Sequence, residues 1–66
     1  MLKLHVSGMS CGHCEKAVEQ AVADVPGVDR IVRVSHADEA VVVEGEVDAE
    51  RVIEAIGEEG YTARVA

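Results

Sequence analysis

The hydrophobic pattern of the chain begins with an alternation. Leu2, Leu4 and Val6 are separated by single polar residues, and this period of two is typical of a strand with one buried face. The pattern therefore predicts a first strand that stops at the break introduced by Gly8. His5 falls on the polar face of this strand and is expected to be a solvated surface residue.

A helical period follows the strand. Between Ala17 and Val25 the apolar residues recur every three or four positions, so they form one stripe on a helix whose other face is polar. We predict a helix over residues 14–24. Pro26 and Gly27 end it, because proline disfavours helix at the residue before it and glycine adopts the backbone angles of a reversal.

The second half of the chain contains two β-branched runs and another helical segment. Residues 28–35 and 40–45 are separated by a polar turn, which predicts a hairpin whose first strand carries arginines and lies at a sheet edge. Asp48 is placed to cap a second helix, which Gly60 ends. Residues 61–65 predict a short closing strand.

The predicted order of strand, helix, strand, strand, helix, strand is that of the ferredoxin-like α+β fold. In this βαββαβ sandwich a four-stranded antiparallel sheet carries both helices on one face. A plain βαβ unit with an added hairpin is the alternative. The length of 66 residues predicts one domain over residues 1–66.

Composition and charge exclude several functions. The chain has no Trp or Phe and a single Tyr, so its small aliphatic core leaves little room for a substrate pocket, and we predict that it is not an enzyme. The formal charge of −7 disfavours nucleic acid and anionic lipid as partners. The sequence contains neither a signal-peptide pattern nor a run of 18 apolar residues, which predicts a cytoplasmic protein that does not insert into a membrane.

The chemistry of the chain is concentrated in Cys11 and Cys14, its only cysteines. Cys11 is predicted in a loop and Cys14 in the first turn of a helix, where the helix dipole favours a thiolate, the form that attacks disulfides and binds metals. In a reducing cytosol a structural disulfide is not expected. Burial of both thiols as inert apolar groups and dithiol exchange remain alternatives. Exchange is disfavoured because Ser10 replaces the aromatic residue of thioredoxin-like motifs and Pro26 lies beyond the helix.

A metal site of two thiolates suits a soft ion with few ligands. A closed zinc site needs four ligands. The chain has only one cysteine pair, and the histidines outside the motif are His5 and His36. His36 is predicted in a turn and, like His5, is expected to be solvated. Two sulfur ligands therefore favour Cu(I) over Zn(II).

The segment Gly-Met-Ser-Cys-Gly-His-Cys at residues 8–14 resembles the Gly-Met-x-Cys-x-x-Cys signature of heavy-metal-associated domains. The whole chain is similar to these domains in length and element order. Within the family it most resembles the bacterial CopZ-type copper chaperones. The resemblance implies a cytoplasmic Cu(I) carrier that passes its ion to the N-terminal metal-binding domain of a copper-transporting P-type ATPase.

The resemblance also assigns roles to individual residues. Cys11 and Cys14 would be the Cu(I) ligands, and such an exposed site also allows a homodimer in which two chains share one copper ion. An excised regulatory domain of a heavy-metal ATPase and a zinc- or mercury-binding relative are the alternatives. Ser10 favours copper over zinc, because zinc-pump domains of the family often carry an acidic residue at that position.

Five further residues are expected around the metal. In the family pattern Met9 points into the core and supports the loop, while Ser10 and Gly12 flank the first cysteine. His13 either tunes the thiol pKa or assists metal binding, or it is an exposed bystander. Tyr61 follows a glycine, as in the bacterial chaperones, where the ring lies beside the metal loop.

Overall fold

A computed structural model describes residues 1–10 and 12–66 and contains four strands and two helices. The elements in chain order are β1 (Leu2–Ser7), α1 (Gly12–Ala23), β2 (Arg30–Ser35), β3 (Ala40–Glu44), α2 (Ala49–Glu58) and β4 (Thr62–Val65). The strands form one sheet in the order β2-β3-β1-β4, and all three neighbouring pairs are antiparallel. This arrangement confirms the predicted ferredoxin-like fold.

The core lies between one face of the sheet and the two helices. Alternate residues of β1 and β3 are fully buried, as their period of two predicts. The helices cover them with residues at a spacing of four, Val18 and Val22 from α1 and Val52 and Ile56 from α2. Since both helices pack on the same inward side chains, they share one face of the sheet.

The edge strand β2 carries the predicted arginines. Arg30 contacts the Glu44 carboxylate of β3 at 2.5 Å, and Arg33 pairs with Asp38 in the following turn. A register shift between Ile31 and Arg33 further interrupts this edge. Bulges and charged side chains both protect an exposed strand edge from pairing with other chains. The strand begins at Arg30 rather than at residue 28, because the preceding residues continue the turn that follows α1.

The helices begin at Gly12 and at Ala49. α1 starts at Gly12, two residues earlier than predicted, because Gly12 and His13 are exposed and carry no apolar signal. The capping of α2 is confirmed, since the Asp48 carboxylate accepts a hydrogen bond of 3.0 Å from the Glu50 backbone N–H. Gly60, with φ of +93°, follows the end of α2 as expected.

The antiparallel order gives the molecule two distinct ends. The loop end comprises residues 8–10, the start of α1, the turn 36–39 and residues 60–61; the far end comprises residues 24–29 and 45–48. At the far end two backbone segments cross in direct contact, and a Cβ atom on Gly45 would lie 2.1 Å from the Gly27 carbonyl oxygen. No helix in the described parts of the chain is long and apolar enough to cross a membrane.

Candidate metal centre

The segment after β1 is anchored by Met9 and turned by Gly8. Gly8 has φ of +101°, a region that glycine enters without steric cost. Met9 is only 7% exposed and belongs to the core cluster, which places its side chain in the interior, as the family pattern predicts. The core therefore anchors the loop immediately before Ser10. Ser10, the next residue, is exposed.

Cys14 is the third residue of α1, so the prediction that it lies in the first helical turn is confirmed. Its side chain is half-buried and packs against the core. Its Sγ lies 3.8 Å from the Ser10 Oγ. Unpaired backbone N–H groups at this end of a helix favour negative charge on a nearby sulfur. Cys11 lies outside the described residues, so its pairing with Cys14 stays a prediction.

Gly12 and His13 open the helix and face solvent. A Cβ atom on Gly12 would meet nothing within 4 Å, so this glycine leaves open space beside the loop. The exposure of His13 is compatible with either role expected for it. Its part in metal binding remains a prediction.

Tyr61, which follows the end of α2, lies against Gly8 at the start of the loop. The residue is half-buried and packs against the core. Its ring lies over Gly8, where a Cβ atom would come within 3.2 Å of the Tyr61 Cδ1. The ring therefore lies against the segment that leads into the cysteine motif, in the region that the resemblance predicts. Glycine at position 8 gives the ring room to approach this closely.

A contact between Glu15 and His36 was not predicted. The Glu15 Oε2 accepts a hydrogen bond of 2.6 Å from the His36 backbone N–H and another of 2.7 Å from the His36 Nδ1. The expectation that His36 is simply solvated is therefore wrong, because the residue is half-buried and bonded to α1. No local sequence pattern predicts the contact, since the two residues are 21 positions apart.

The hydrogen bond from the His36 backbone N–H lowers the pKa of the Glu15 carboxyl, and the bond and charge of the ring act in the same direction. Because the pKa of Glu15 is then lower in the folded than in the unfolded chain, the unfolded chain takes up this proton first as the pH falls. The stabilisation is therefore complete above the ordinary pKa of 4.5 and is lost as the pH drops through the lowered folded value.

We expect the Glu15→Gln variant to lose stability less steeply than the wild type on acidification, because its amide has no proton to take up. Urea midpoints measured from about pH 6 to pH 3 test this. Glu19→Gln is the matched control, since Glu19 is exposed on the same helix. Equal acid slopes for the wild type and Glu15→Gln would contradict the assignment.

Among the residues that the structure describes, no group of three or more His, Cys, Asp or Glu side chains is arranged to hold a metal ion. Three described residues of the motif and Tyr61 nevertheless lie around one loop. Met9 supports the loop from below, Ser10 lies near the Cys14 sulfur, and Tyr61 covers the entry from β1.

Comparison with known proteins places this geometry in a family. The copper chaperone CopZ of Enterococcus hirae is 40% identical over 62 residues, which cover 91% of this chain and 90% of that protein. The solved apo form of the Enterococcus hirae copper chaperone superimposes with a TM-score of 0.89 at 36% identity, and each chain is covered completely.

Two further matches are to a domain or a segment of a larger protein. The N-terminal domain of PacS from Synechocystis PCC6803 gives a TM-score of 0.90 at 35% identity over 98% of this chain and 94% of that domain. Mercuric reductase of Acidithiobacillus ferrooxidans is 43% identical over 61 residues, which cover 89% of this chain but only 11% of that protein.

The family model for the heavy-metal-associated domain matches residues 3–62. This range contains the whole cysteine motif, both helices and the start of the last strand. With nearly the entire length matched, and with the same fold in the solved relatives, the chain belongs to the heavy-metal-associated domain family.

Proposed function

We propose that this chain is a copper chaperone that binds one Cu(I) ion between the thiolates of Cys11 and Cys14. The observation that carries the proposal is the similarity to the CopZ copper chaperone, which is 40% identical and is covered over 90% of its length. The position of Cys14 in the first turn of α1 supports it, because this location favours the anionic sulfur that a soft ion prefers.

Transfer proceeds by ligand exchange without a change of oxidation state. An incoming thiolate of the partner bonds to the copper ion and gives a three-coordinate bridge, after which one of the two sulfurs of this chain is released as a thiolate. Because Cys14 is only half-buried, an ion bound to its sulfur would be accessible to the incoming thiolate. The copper ion is the cargo, and it passes between proteins without being released into water.

The proposed partner is the N-terminal metal-binding domain of a copper-transporting P-type ATPase, reached in the cytoplasm. The likeness to the PacS N-terminal domain supports this, because two domains of one fold can present their loops to each other. The charge of −7 favours a partner with a complementary positive surface. We further propose that residues 1–66 act as a single domain. When the ATPase domain is absent, two copies of this chain can share one copper ion.

Titration of the fully reduced protein with Cu(I) against a competing cuprous chelator tests the proposal, with Zn(II) titrated in parallel. We expect one Cu(I) per chain at low protein concentration and weaker retention of Zn(II), because two thiolates suit a soft ion of low coordination number. Failure to compete with a weak cuprous chelator, or tighter retention of Zn(II), would refute the proposal.

A second candidate is a regulatory metal-binding domain of a copper ATPase. The superposition on the PacS N-terminal domain favours it, since that domain matches this chain as closely in fold as the chaperone does. The two functions differ in their partner. A carrier delivers Cu(I) to a separate ATPase N-terminal domain when the two are mixed, whereas a regulatory domain changes the turnover of the pump to which it is joined.

A further inference from the structure

Few buried side chains hold the first turn of α1 in place. Gly12 and His13 are exposed, and the first fully buried residue of the helix is Val18, one turn beyond Cys14. Helix ends open more readily than helix centres when little apolar surface holds them down. Apart from the partly buried Cys14 side chain, the described residues of this turn therefore depend on polar contacts to stay in place.

An open groove separates the start of α1 from the edge strand. It runs between the exposed side of the helix, at residues 12–19, and residues 31–34 of β2. Glu15 lines this groove and contacts His36 in the turn that follows β2.

Glu15 ties the first turn to the hairpin through a single carboxylate oxygen. That oxygen accepts from both the backbone N–H and the ring Nδ1 of His36, at 2.6 and 2.7 Å. The Glu15 side chain is 27% exposed and the His36 side chain 40% exposed, so the bonds are partly shielded from water. Hydrogen bonds to a charged acceptor are stronger than those between neutral groups.

The turn on the other side of this contact is itself braced. The Ser35 Oγ accepts a hydrogen bond of 3.2 Å from the Asp38 backbone N–H, and the Asp38 carboxylate pairs with Arg33. His36 lies inside this bonded turn. It therefore offers Glu15 a fixed partner rather than a mobile one.

We propose that Glu15 and His36 are positioning residues, which hold the first turn of α1, and with it Cys14, in the arrangement that Cu(I) binding uses. The inference rests on the proposed function. Neither residue touches the metal. When the contact is absent, the turn opens part of the time, and a site that is competent only part of the time binds its ligand more weakly in proportion.

The first measurement needs no metal. The amide protons of Lys16 and Ala17 are the first in α1 with carbonyl acceptors inside the helix, four residues earlier. We expect Glu15→Ala to accelerate hydrogen exchange at these two amides in the reduced apo protein by about three- to tenfold. Exchange at Val22, in the buried part of the same helix, serves as the internal reference.

The second measurement is the Cu(I) affinity by chelator competition. We expect Glu15→Ala to weaken Cu(I) binding by about three- to tenfold. Glu15→Gln keeps an oxygen acceptor at the same place and should retain most of the affinity. His36→Asn likewise keeps a side-chain donor close to the position of Nδ1, whereas His36→Ala removes it, so the affinity should follow the presence of the bond.

Glu19→Ala is the matched control. It removes an exposed glutamate from the same helix but leaves both bonds between Glu15 and His36. If Glu15→Ala matches Glu19→Ala in amide exchange and in Cu(I) affinity, or lowers only the unfolding midpoint, the positioning role is wrong. If the wild type itself fails to bind Cu(I), both the proposed function and this inference are refuted. If the wild type binds Cu(I) and Glu15→Ala binds it equally well, only this inference is refuted.

Discussion

Gly45→Ala is expected to leave a large fraction of the protein unfolded. A Cβ atom at this position would lie 2.1 Å from the Gly27 carbonyl oxygen and 2.8 Å from the Asp29 backbone nitrogen. Both neighbours are backbone atoms, so no side-chain rotation relieves the clash. Gly45 also has φ of +133°, a conformation that strains residues with a side chain. We expect a loss of about 3 kcal/mol or more in the free energy of unfolding.

The size of the domain makes this loss severe. A chain of this length has a total stability of only about 3–10 kcal/mol. Urea denaturation followed by circular dichroism measures the change. Gly57→Ala is the control with the opposite sign, because a Cβ atom on Gly57 meets nothing within 4 Å and alanine stabilises a helix by about 1 kcal/mol relative to glycine. A Gly45→Ala midpoint at or above that of the wild type would show that the two segments do not cross as tightly as described.

The second large effect concerns copper binding. We expect Cys11→Ser and Cys14→Ser each to weaken Cu(I) binding at least about a hundredfold, because a neutral hydroxyl is a hard, poor ligand for a soft ion and only one thiolate remains. Chelator competition measures the affinity, and circular dichroism confirms that the variants are folded.

Ser10→Ala is the matched control for the cysteine variants. The Ser10 Oγ lies 3.8 Å from the Cys14 Sγ, so its removal alters the surroundings of the sulfur while both thiols remain. We expect its Cu(I) affinity to stay within about threefold of the wild type. If either serine variant of the cysteines bound Cu(I) as well as Ser10→Ala does, the two-thiolate site would be refuted.

Local patterns were sufficient to predict the fold. The alternation in β1 and the apolar stripe of α1 each reflect the burial of one face, which is repeated within a few residues and is therefore readable in sequence. The cap at Asp48 is equally local, since it involves a backbone group two residues away. The position of Met9 in the core was predicted from the family pattern rather than from periodicity, because a single apolar residue in a loop has no period.

Contacts between distant segments were not predictable in the same way. The bond from His36 to Glu15 joins residues that are neighbours only after the hairpin has folded onto α1. The crossing of Gly27 and Gly45 likewise depends on how two loops meet at the far end. Gly27 was expected to serve a reversal, and its φ of +97° agrees, but the sequence alone carries no sign of the second segment against it.

The pairing of β1 with β4 has a practical consequence. The Ala66 backbone N–H donates to the Lys3 carbonyl oxygen at 3.0 Å, so both chain termini emerge together at the far end. The six residues of β1 then span about 20 Å before the cysteine motif begins. A fluorescent label, affinity tag or flexible linker fused to either terminus would therefore leave the surface around Cys14 unobstructed, so the proposed exchange of Cu(I) with a partner in solution can be tested on immobilised protein.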